Sequence, residues 1–427
     1  MAGTKLFPYG HVTHPGWRMA VALVVAQLRG RMAQAGYASA PNLGLVYFTD
    51  AYARHAPQLL EALQDEFPQI GDWSGAVGTG VMASHAEYLN EPALCVMLLE
   101  LPAHSYRLFS GIAPLPVAST SPWERALLHA DADLPDFAEL LEELAARTRA
   151  GSVLGGLSSG AVAPLQLAWS KALGPSHSGV LRGGLSGMAF SAEAGVVQEL
   201  TQGCQVMGTR MRITAMQGHV VLALDGRPAL DVLEELMLVR LDTDPERATR
   251  TLRHIHAALE THAPESPVHA GQLGPEARVV PLVGVDMASR GIVLPEPAQP
   301  QQYLCFCQRN LSAARADLLR MCAELRESLA PAEAQTGLPL GDSVLGDAGA
   351  GAGAGAGVGA GRSIAGAVYI SCAERASPYF GAPGAELELI HHVLGDIPLV
   401  GFFSQGEIAG QQLHRYAGAL MLFTQAA

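Results

Sequence analysis

Residues Pro398–Gly410 read PLVGFFSQGEIAG and hold one acid, Glu407, directly after Gly406. A carboxylate framed by glycines can receive a ligand amine. It can also pair with Arg375, whose planar guanidinium matches a carboxylate in two parallel hydrogen bonds and equally suits a ligand carboxylate. The same Arg375–Glu407 pair also reads as a structural ion pair closing a C-terminal sheet. A second glycine-rich stretch, SGAVGTGVMA, offers Ser74, Gly75, Gly78 and Thr79. Its backbone amides can line an anion site, or its glycines can serve tight turns with positive φ. Gly401 and Gly406 frame the C-terminal stretch in the same way. Cys372 and Cys204 are candidate pocket thiols, and each also reads as a small buried apolar residue.

Other patterns point to other chemistries. GLSSG, residues 156–160, matches the G-x-S-x-G elbow with Ser158 as nucleophile, although Pro164 makes a poor start for the helix that a hydrolase places there. Cys305-Phe-Cys307 sends two thiols to one face of a strand. A zinc site needs about four ligands, no second pair is placed for it, and no metal site is nominated. His254 and His256 read as the solvated face of a polar helix with Arg250 and Arg253. His391, His392 and His414 lie near the opening stretch. Without C-x-x-C-H, haem would have to bind noncovalently through a histidine that the sequence does not nominate.

Composition sets the frame. The 427 residues are 49% apolar and 16% charged, with net charge −13, which describes a globular chain with a large core. No Lys/Arg-rich run exists for phosphate binding, so nucleic acid is not an expected partner. No apolar run approaches the ~20 residues of a membrane span. Arg18 followed by MAVALVVAQL reads as part of an amphipathic helix, Trp17–Ala35, rather than as a signal peptide. Six cysteines are too few for a disulfide framework. The expectation is a cytoplasmic protein with reduced thiols.

The elements that must position these residues follow from periodicity. NLGLVYFTD and EPALCVMLLELP are buried strands, and Leu59, Leu60, Leu63 and Phe67 form a helical stripe between them. Short glycine-punctuated strands follow to Gly226, where a new helical region begins. A long helix is predicted over Ser312–Leu329. Gly346–Ser363 is nearly pure Gly-Ala and reads as a flexible surface insertion. Gly75 and Gly80 match Gly401 and Gly406 at one offset of 326 residues, as do Ala83 with Ala409 and Ala93-Leu94 with Ala419-Leu420. The order strand, helix, glycine turn, strand also recurs. The expected fold is α/β of the α+β type: mixed sheets flanked by helices, in two related halves from an internal duplication. Each repeated turn would aim its amides at a shared cleft.

Six segments in one order carry a family resemblance: YFTD…DWSGAVGTGV…EPALCVMLLELP, SVLGGLSSG, TQGCQVMG…HVVLALDGRPALDVLEEL, FCQRNLSAARADL, YISCAERA and IPLVGFFSQGEIAG. Over residues 40–410 the chain resembles the FIST sensory proteins. Two departures stand out: Ala376 replaces the glycine of Cys-x-x-Arg-Gly, and Asn310 replaces the aspartate before the long helix. The resemblance implies a helical lead-in over 1–39, a FIST N-terminal domain over 40–226 and a FIST C-terminal domain over 227–427. It implies a small-ligand-binding sensory module in signal transduction, with an amino-acid-like ligand, acting through a partner protein. Some members are haem-based nitric oxide sensors, and that is the first alternative; a serine hydrolase using Ser158 is the second. No convincing catalytic constellation is present. The ligand-binding residues expected are Arg375, Glu407, Gly406, Gly401, Cys372, Ser74, Gly75, Gly78 and Thr79.

Overall fold

A computed structural model describes residues 4–117, 121–160, 164–174, 178–261, 273, 277–299, 301–331, 361–376 and 379–426. The first unit runs β1 (Tyr9–Thr13), α1 (Trp17–Met32), β2 (Leu43–Thr49), α2 (Ala56–Glu66), β3 (Asp72–Gly78), β4 (Gly80–Ala83), β5 (Ala86–Leu89) and β6 (Ala93–Leu99). The second runs β7 (Tyr106–Ser110), β8 (Trp123–Asp131), α3 (Phe137–Ala146), β9 (Val153–Ser158), β10 (Leu165–Ser170), β11 (Gly179–Arg182) and β12 (Leu185–Ser191). The third opens with β13 (Val196–Thr201). Before it continues, the chain builds an inserted unit: β14 (Cys204–Gln217), β15 (Val220–Leu224), β16 (Arg227–Pro228), α4 (Ala229–Met237), α5 (Pro245–Leu252), β17 (Ile255–Glu260), β18 (Arg278–Pro281), β19 (Gly284–Asp286), β20 (Gly291–Val293) and β21 (Tyr303–Arg309). The third unit resumes with α6 (Leu311–Ser328), β22 (Arg362–Cys372), α7 (Ala385–Leu394), β23 (Leu399–Ser404), β24 (Glu407–Ala409), β25 (Gln412–His414) and β26 (Gly418–Ala426).

The duplication read from the sequence extends to a third copy. In strand order the sheets are β1-β6-β2-β3-β10-β11, β7-β12-β8-β9-β24-β25 and β13-β26-β22-β23-β4-β5. In each, the central strand runs parallel to the strand after its helix and antiparallel to the last strand of its unit. Each unit hands its hairpin on: β4–β5 joins the third sheet, β10–β11 the first and β24–β25 the second.

Central strands flanked on both faces read as near-continuous apolar runs. All seven residues of β2 are buried. Its Leu45 and Tyr47 enter a core shared with Leu127, Ile370 and Phe402 from the other two sheets. Its Val46 and Phe48 face outward under α1 and α2. The third sheet is covered outside by α6 and α7, the second by α3. Tyr47 stacks on Phe402 at 5.2 Å, and His129 of the second unit meets the Tyr47 hydroxyl at 3.2 Å through Nε2. Burial drives the His129 imidazole down to about 3.

The glycine stretches are strands more than turns. Gly75 lies opposite Val46, Gly155 opposite Leu128 and Gly401 opposite Tyr369. A Cβ on Gly75, Gly155 or Gly401 would fall 1.8, 2.0 or 1.7 Å from the carbonyl oxygen of that partner. These positions are glycine because neighbouring backbone fills the space. The expectation that Ser74 and Gly75 belong to an amide-lined turn is therefore corrected: both are buried in mid-strand. The repeat identity Ala93-Leu94 with Ala419-Leu420 is also two residues out of step. Val96 lies opposite Val46 and Leu420 opposite Tyr369, so Val96 and Leu420 are the equivalents.

Of the Gly/Ala segment, residues 346–360 lie outside the described residues, whereas Arg362 and Ser363 open β22. The inserted sheet, β18-β17-β21-β14-β15-β20-β19 with β16 beside β15, has its own core under α4 and α5. Residue 226 sits at the β15–β16 turn of that sheet. His254 and His256 leave the helix predicted for them: α5 ends at Leu252, and His256 is buried in β17. Among the described residues no helix is long and apolar enough to cross a membrane.

Candidate functional site

The two chain crossings into the inserted unit, Gln202–Gly203 and Arg309–Asn310, enter beside the end of β22 and the loop before β26. Around them the structure gathers Arg375, Glu407, Cys372, Cys204 and His256 from the sequence reading, and adds Glu386, Arg309, Tyr416, Tyr379 and Asp317.

Arg375 follows β22 in a short 3-10 turn and is 1% exposed. Its partner is Glu386 in the first turn of α7, not Glu407. Nε reaches Glu386 Oε1 at 2.9 Å and Nη2 reaches it at 2.5 Å. Tyr369 donates to Oε1 at 2.6 Å and Ser371 to Oε2 at 2.8 Å, which completes the carboxylate. A carboxylate is also favoured at a helix N-terminus by the aligned peptide dipoles. Burial opposes the Arg375 charge, but Glu386 beside it more than offsets this and holds the guanidinium above its ordinary value. Ala376 adopts φ −53 and ψ 166, ordinary extended backbone that needs no glycine. Asn310, the other family departure, caps α6 by accepting from the Ala313 amide at 2.9 Å.

Three consecutive residues, Arg415–Ala417, form the hub. Arg375 Nη1 donates to the Tyr416 carbonyl at 3.2 Å, and Arg309 Nη2 donates to the Arg415 carbonyl at 3.3 Å and the Gln202 carbonyl at 3.2 Å. The Arg309 guanidinium lies over the Tyr416 ring at 4.1 Å, a cation–π contact. The Ala417 amide donates to Glu407 Oε2 at 3.0 Å. Tyr416 holds φ +58, a left-handed backbone uncommon for a bulky residue. Asp317 of α6 fixes the crossing by accepting from the Gln202 and Gly203 amides at 2.8 and 2.9 Å. Gly203, at φ +62, leaves the room that Arg375 Nη1 needs: a Cβ there would sit 2.9 Å from it.

Four buried polar atoms at this junction have no partner among the described residues: Glu407 Oε1, Tyr379 OH, Arg309 Nε and His256 Nδ1. Each unsatisfied buried group costs about 1–3 kcal/mol. His256 Nε2 stands 3.4 Å from Arg309 Nη1, and burial together with that charge lowers its imidazole to about 4. The Cys307 thiol beside Cys204 holds the Cys204 thiol below its ordinary value. Burial opposes this, and Arg309 and Arg375 reinforce it. Cys372 goes the other way, pushed up to about 12 by burial and the nearby Glu407.

Glu407 is fully buried, and burial raises its carboxyl well above 4.5, against the Ala417 amide and Arg375. The fold therefore disfavours the ionised form of this acid. Its equivalents support this. Glu407 lies opposite Gly156, Val81 opposite Phe402 and Gln166 opposite Ala76, so one position is filled by acid, valine and amide in turn. In the unfolded chain Glu407 ionises near 4.5, whereas the native state keeps the proton to higher pH. Above pH 4.5 the native state binds more protons, and stability falls with rising pH at about 1.4 kcal/mol per unit until the native pKa is passed. Glu407→Gln should match the parent below pH 4.5 and become the more stable protein toward pH 8. Urea midpoints across that range check it; parallel pH profiles would show an ionised Glu407 in the fold.

The other sequence-nominated residues stay outside this cluster. Gly406 packs against Leu413 and Leu157, and Gly401 against Tyr369. Gly78 lies against Phe402, and Thr79 donates through its hydroxyl to the Phe403 carbonyl at 3.2 Å. Ser158 is 1% exposed at the end of β9 and donates to the Ala130 carbonyl at 3.0 Å; the next described element is strand β10, not a helix. GLSSG is thus the second copy of the glycine stretch, with Gly155 and Gly160 spaced like Gly75 and Gly80, and the nucleophile-elbow reading is corrected. Nothing local marks Tyr379 and Tyr416, and Arg309 stands out in the sequence only as the neighbour of Asn310; the tertiary meeting of insert and third unit brings the three together. In a wide surface cleft of about 970 Å³ between α4 and α5, Arg290 bridges Asp231 and Glu234.

Residues 42–227 match the family model described as the FIST N domain, and residues 229–410 match the FIST C domain. An uncharacterized protein of Mycobacterium tuberculosis (strain H37Rv) is 28% identical, over 97% of this chain and 98% of its own length. An uncharacterized protein of Mycobacterium bovis is 25% identical, over 97% of each chain.

Proposed function

The chain belongs to the FIST family, whose domains are associated with sensory modules of signal transduction, and from that premise we propose that it senses a small carboxylate-bearing ligand of amino-acid size at the Arg309–Tyr416 junction. The observation that carries this reading is the convergence of four unpartnered buried polar atoms on one arginine-rich cluster. Arg309 offers Nε to a ligand carboxylate, and the Tyr379 hydroxyl offers a second donor. Glu407 offers its unpartnered Oε1 to the ligand. Arg375 is already saturated by Glu386 and orients the wall.

The location suggests the output. Gln202 and Arg309 lie at the root of the inserted unit, where it joins the third repeat. A ligand that recruits Arg309 changes how the insert is seated, and a partner protein that touches both parts reads the change.

Titration calorimetry with a panel of amino acids and small carboxylates tests the proposal. Arg309→Ala removes a charged hydrogen bond worth about 1.5–3 kcal/mol, so binding should weaken roughly 10- to 100-fold with the circular dichroism spectrum unchanged. Glu407→Gln should keep binding, since it exchanges an acid whose ionised form the fold disfavours for a neutral amide. Binding that ignores Arg309→Ala would move the site elsewhere. A Soret band on reconstitution with haemin would replace this reading by a haem sensor.

A further inference from the structure

The hairpin that the first unit donates to the third sheet ends in a turn at Ser84 and His85. That turn is pinned: the Ser84 amide donates to the Leu399 carbonyl at 2.9 Å, and Ser84 itself holds φ +44. The His85 imidazole is thereby carried onto the end of α7, where its ring lies against His391 with centroids 4.1 Å apart and planes tilted by 33°. Its Nε2 stands 3.2 Å from Asp396 Oδ1.

His391 is 8% exposed. Its Nδ1 lies 3.0 Å from the Gly395 carbonyl, an acceptor only, so Nδ1 carries the proton and Nε2 the lone pair. That Nε2 is buried with no partner among the described residues. An exposed His85–Asp396 pair needs no explanation beyond surface electrostatics. A buried imidazole lone pair beside that pair, on a ring oriented by a backbone carbonyl, does need one. A carbonyl behind the ring is the arrangement that orients metal-bound histidines and raises their basicity.

We propose that His85, His391 and Asp396 form a site for a divalent transition-metal ion of the zinc class. One ligand atom from each lies within 4.8 Å of the other two. Zinc bonds of about 2.0–2.2 Å bring tetrahedral ligands to roughly 3.3 Å from one another, a closure that small side-chain rotations of His85 and Asp396 supply. Both are open to solvent, with side-chain exposures of 58% and 84%. Two imidazoles and a carboxylate leave the fourth position to water. The ion would tie the first unit's hairpin to the third unit's helix across the seam between repeats.

The test uses the full chain, stripped with chelator and titrated with Zn²⁺ against a chromophoric competitor. One equivalent should bind, and Co²⁺ should give the visible bands of a low-coordinate nitrogen–oxygen site. His85→Ala and Asp396→Asn alter exposed side chains and leave the fold intact. Each should weaken binding roughly tenfold or more, and Zn²⁺ should raise the unfolding temperature of the parent but not of His85→Ala. Absence of binding, or equal affinity in parent and both variants, overturns the site.

Discussion

Gly401→Ala should cost about 3 kcal/mol or more of stability, at the upper end of what overpacking a core exacts. The added Cβ would stand 1.7 Å from the Tyr369 carbonyl oxygen and 2.7 Å from its carbon. Both are backbone atoms of the central strand of the third sheet, so no side chain can rotate away. Relief requires β22 and β23 to separate along a ladder running from Ala367–Leu399 to Cys372–Ser404. Gly75→Ala and Gly155→Ala should behave alike, because each faces its partner carbonyl in the same way. Gly30→Ala is the control. Gly30 sits inside α1 with nothing within 4 Å of an added Cβ, so alanine there should gain about 0.5–1 kcal/mol. Denaturant midpoints on the four variants decide it, and a Gly401→Ala protein that unfolds with the parent would remove the packing argument for all three glycines.

Glu386→Ala should cost about 3–5 kcal/mol, the expected penalty for stranding a buried charge. The Arg375–Glu386 side chains are 1% and 5% exposed, so water cannot replace the lost partner. Tyr369 and Ser371 would lose their acceptor as well. Replacing both members, Arg375→Met with Glu386→Leu, should recover most of the loss, since apolar side chains of similar volume often match a buried pair. A double-mutant cycle by urea denaturation measures this. A single variant within about 1 kcal/mol of the parent would mean that the pair is solvated. The outcome also separates wall from site: Arg375 substitutions should act on stability first, and Arg309 substitutions on binding.

Much of the fold was legible where the chain is locally consistent. Fully buried central strands such as LGLVYFT and ALCVMLL announce themselves by unbroken apolar character, and α6 by its stripe from Ala314 to Leu325. The glycine spacing exposed the first and third copies. The second was hidden because its signature overlaps a catalytic motif: Gly155–Gly160 repeats the five-residue spacing but reads first as G-x-S-x-G. Among the described residues no helix lies between β7 and β8, where the other two units carry α1 and α6. Glycine itself misled, since a residue associated with turns was here required by two strands in close approach. At the site, the Arg375–Glu407 pair expected from the sequence gives way to Arg375–Glu386. Nothing in a one-dimensional string says which of two acids, eleven or thirty-two residues downstream, will reach the arginine.

The handing-on of hairpins around the three sheets also bears on how the protein comes off the ribosome. Val81 waits for Phe402, about 320 residues later in the chain. At synthesis rates of roughly 5–20 residues per second, that interval lasts on the order of 15 s to a minute. During it β4 has no acceptor and, once made, β9 lacks the strand that Glu407 brings, so both stand as unfinished edges. Such edges are templates for pairing with other chains. The sheets can close only when β23 and β24 have emerged, so the protein's yield in a cell depends on how well those edges are guarded until then.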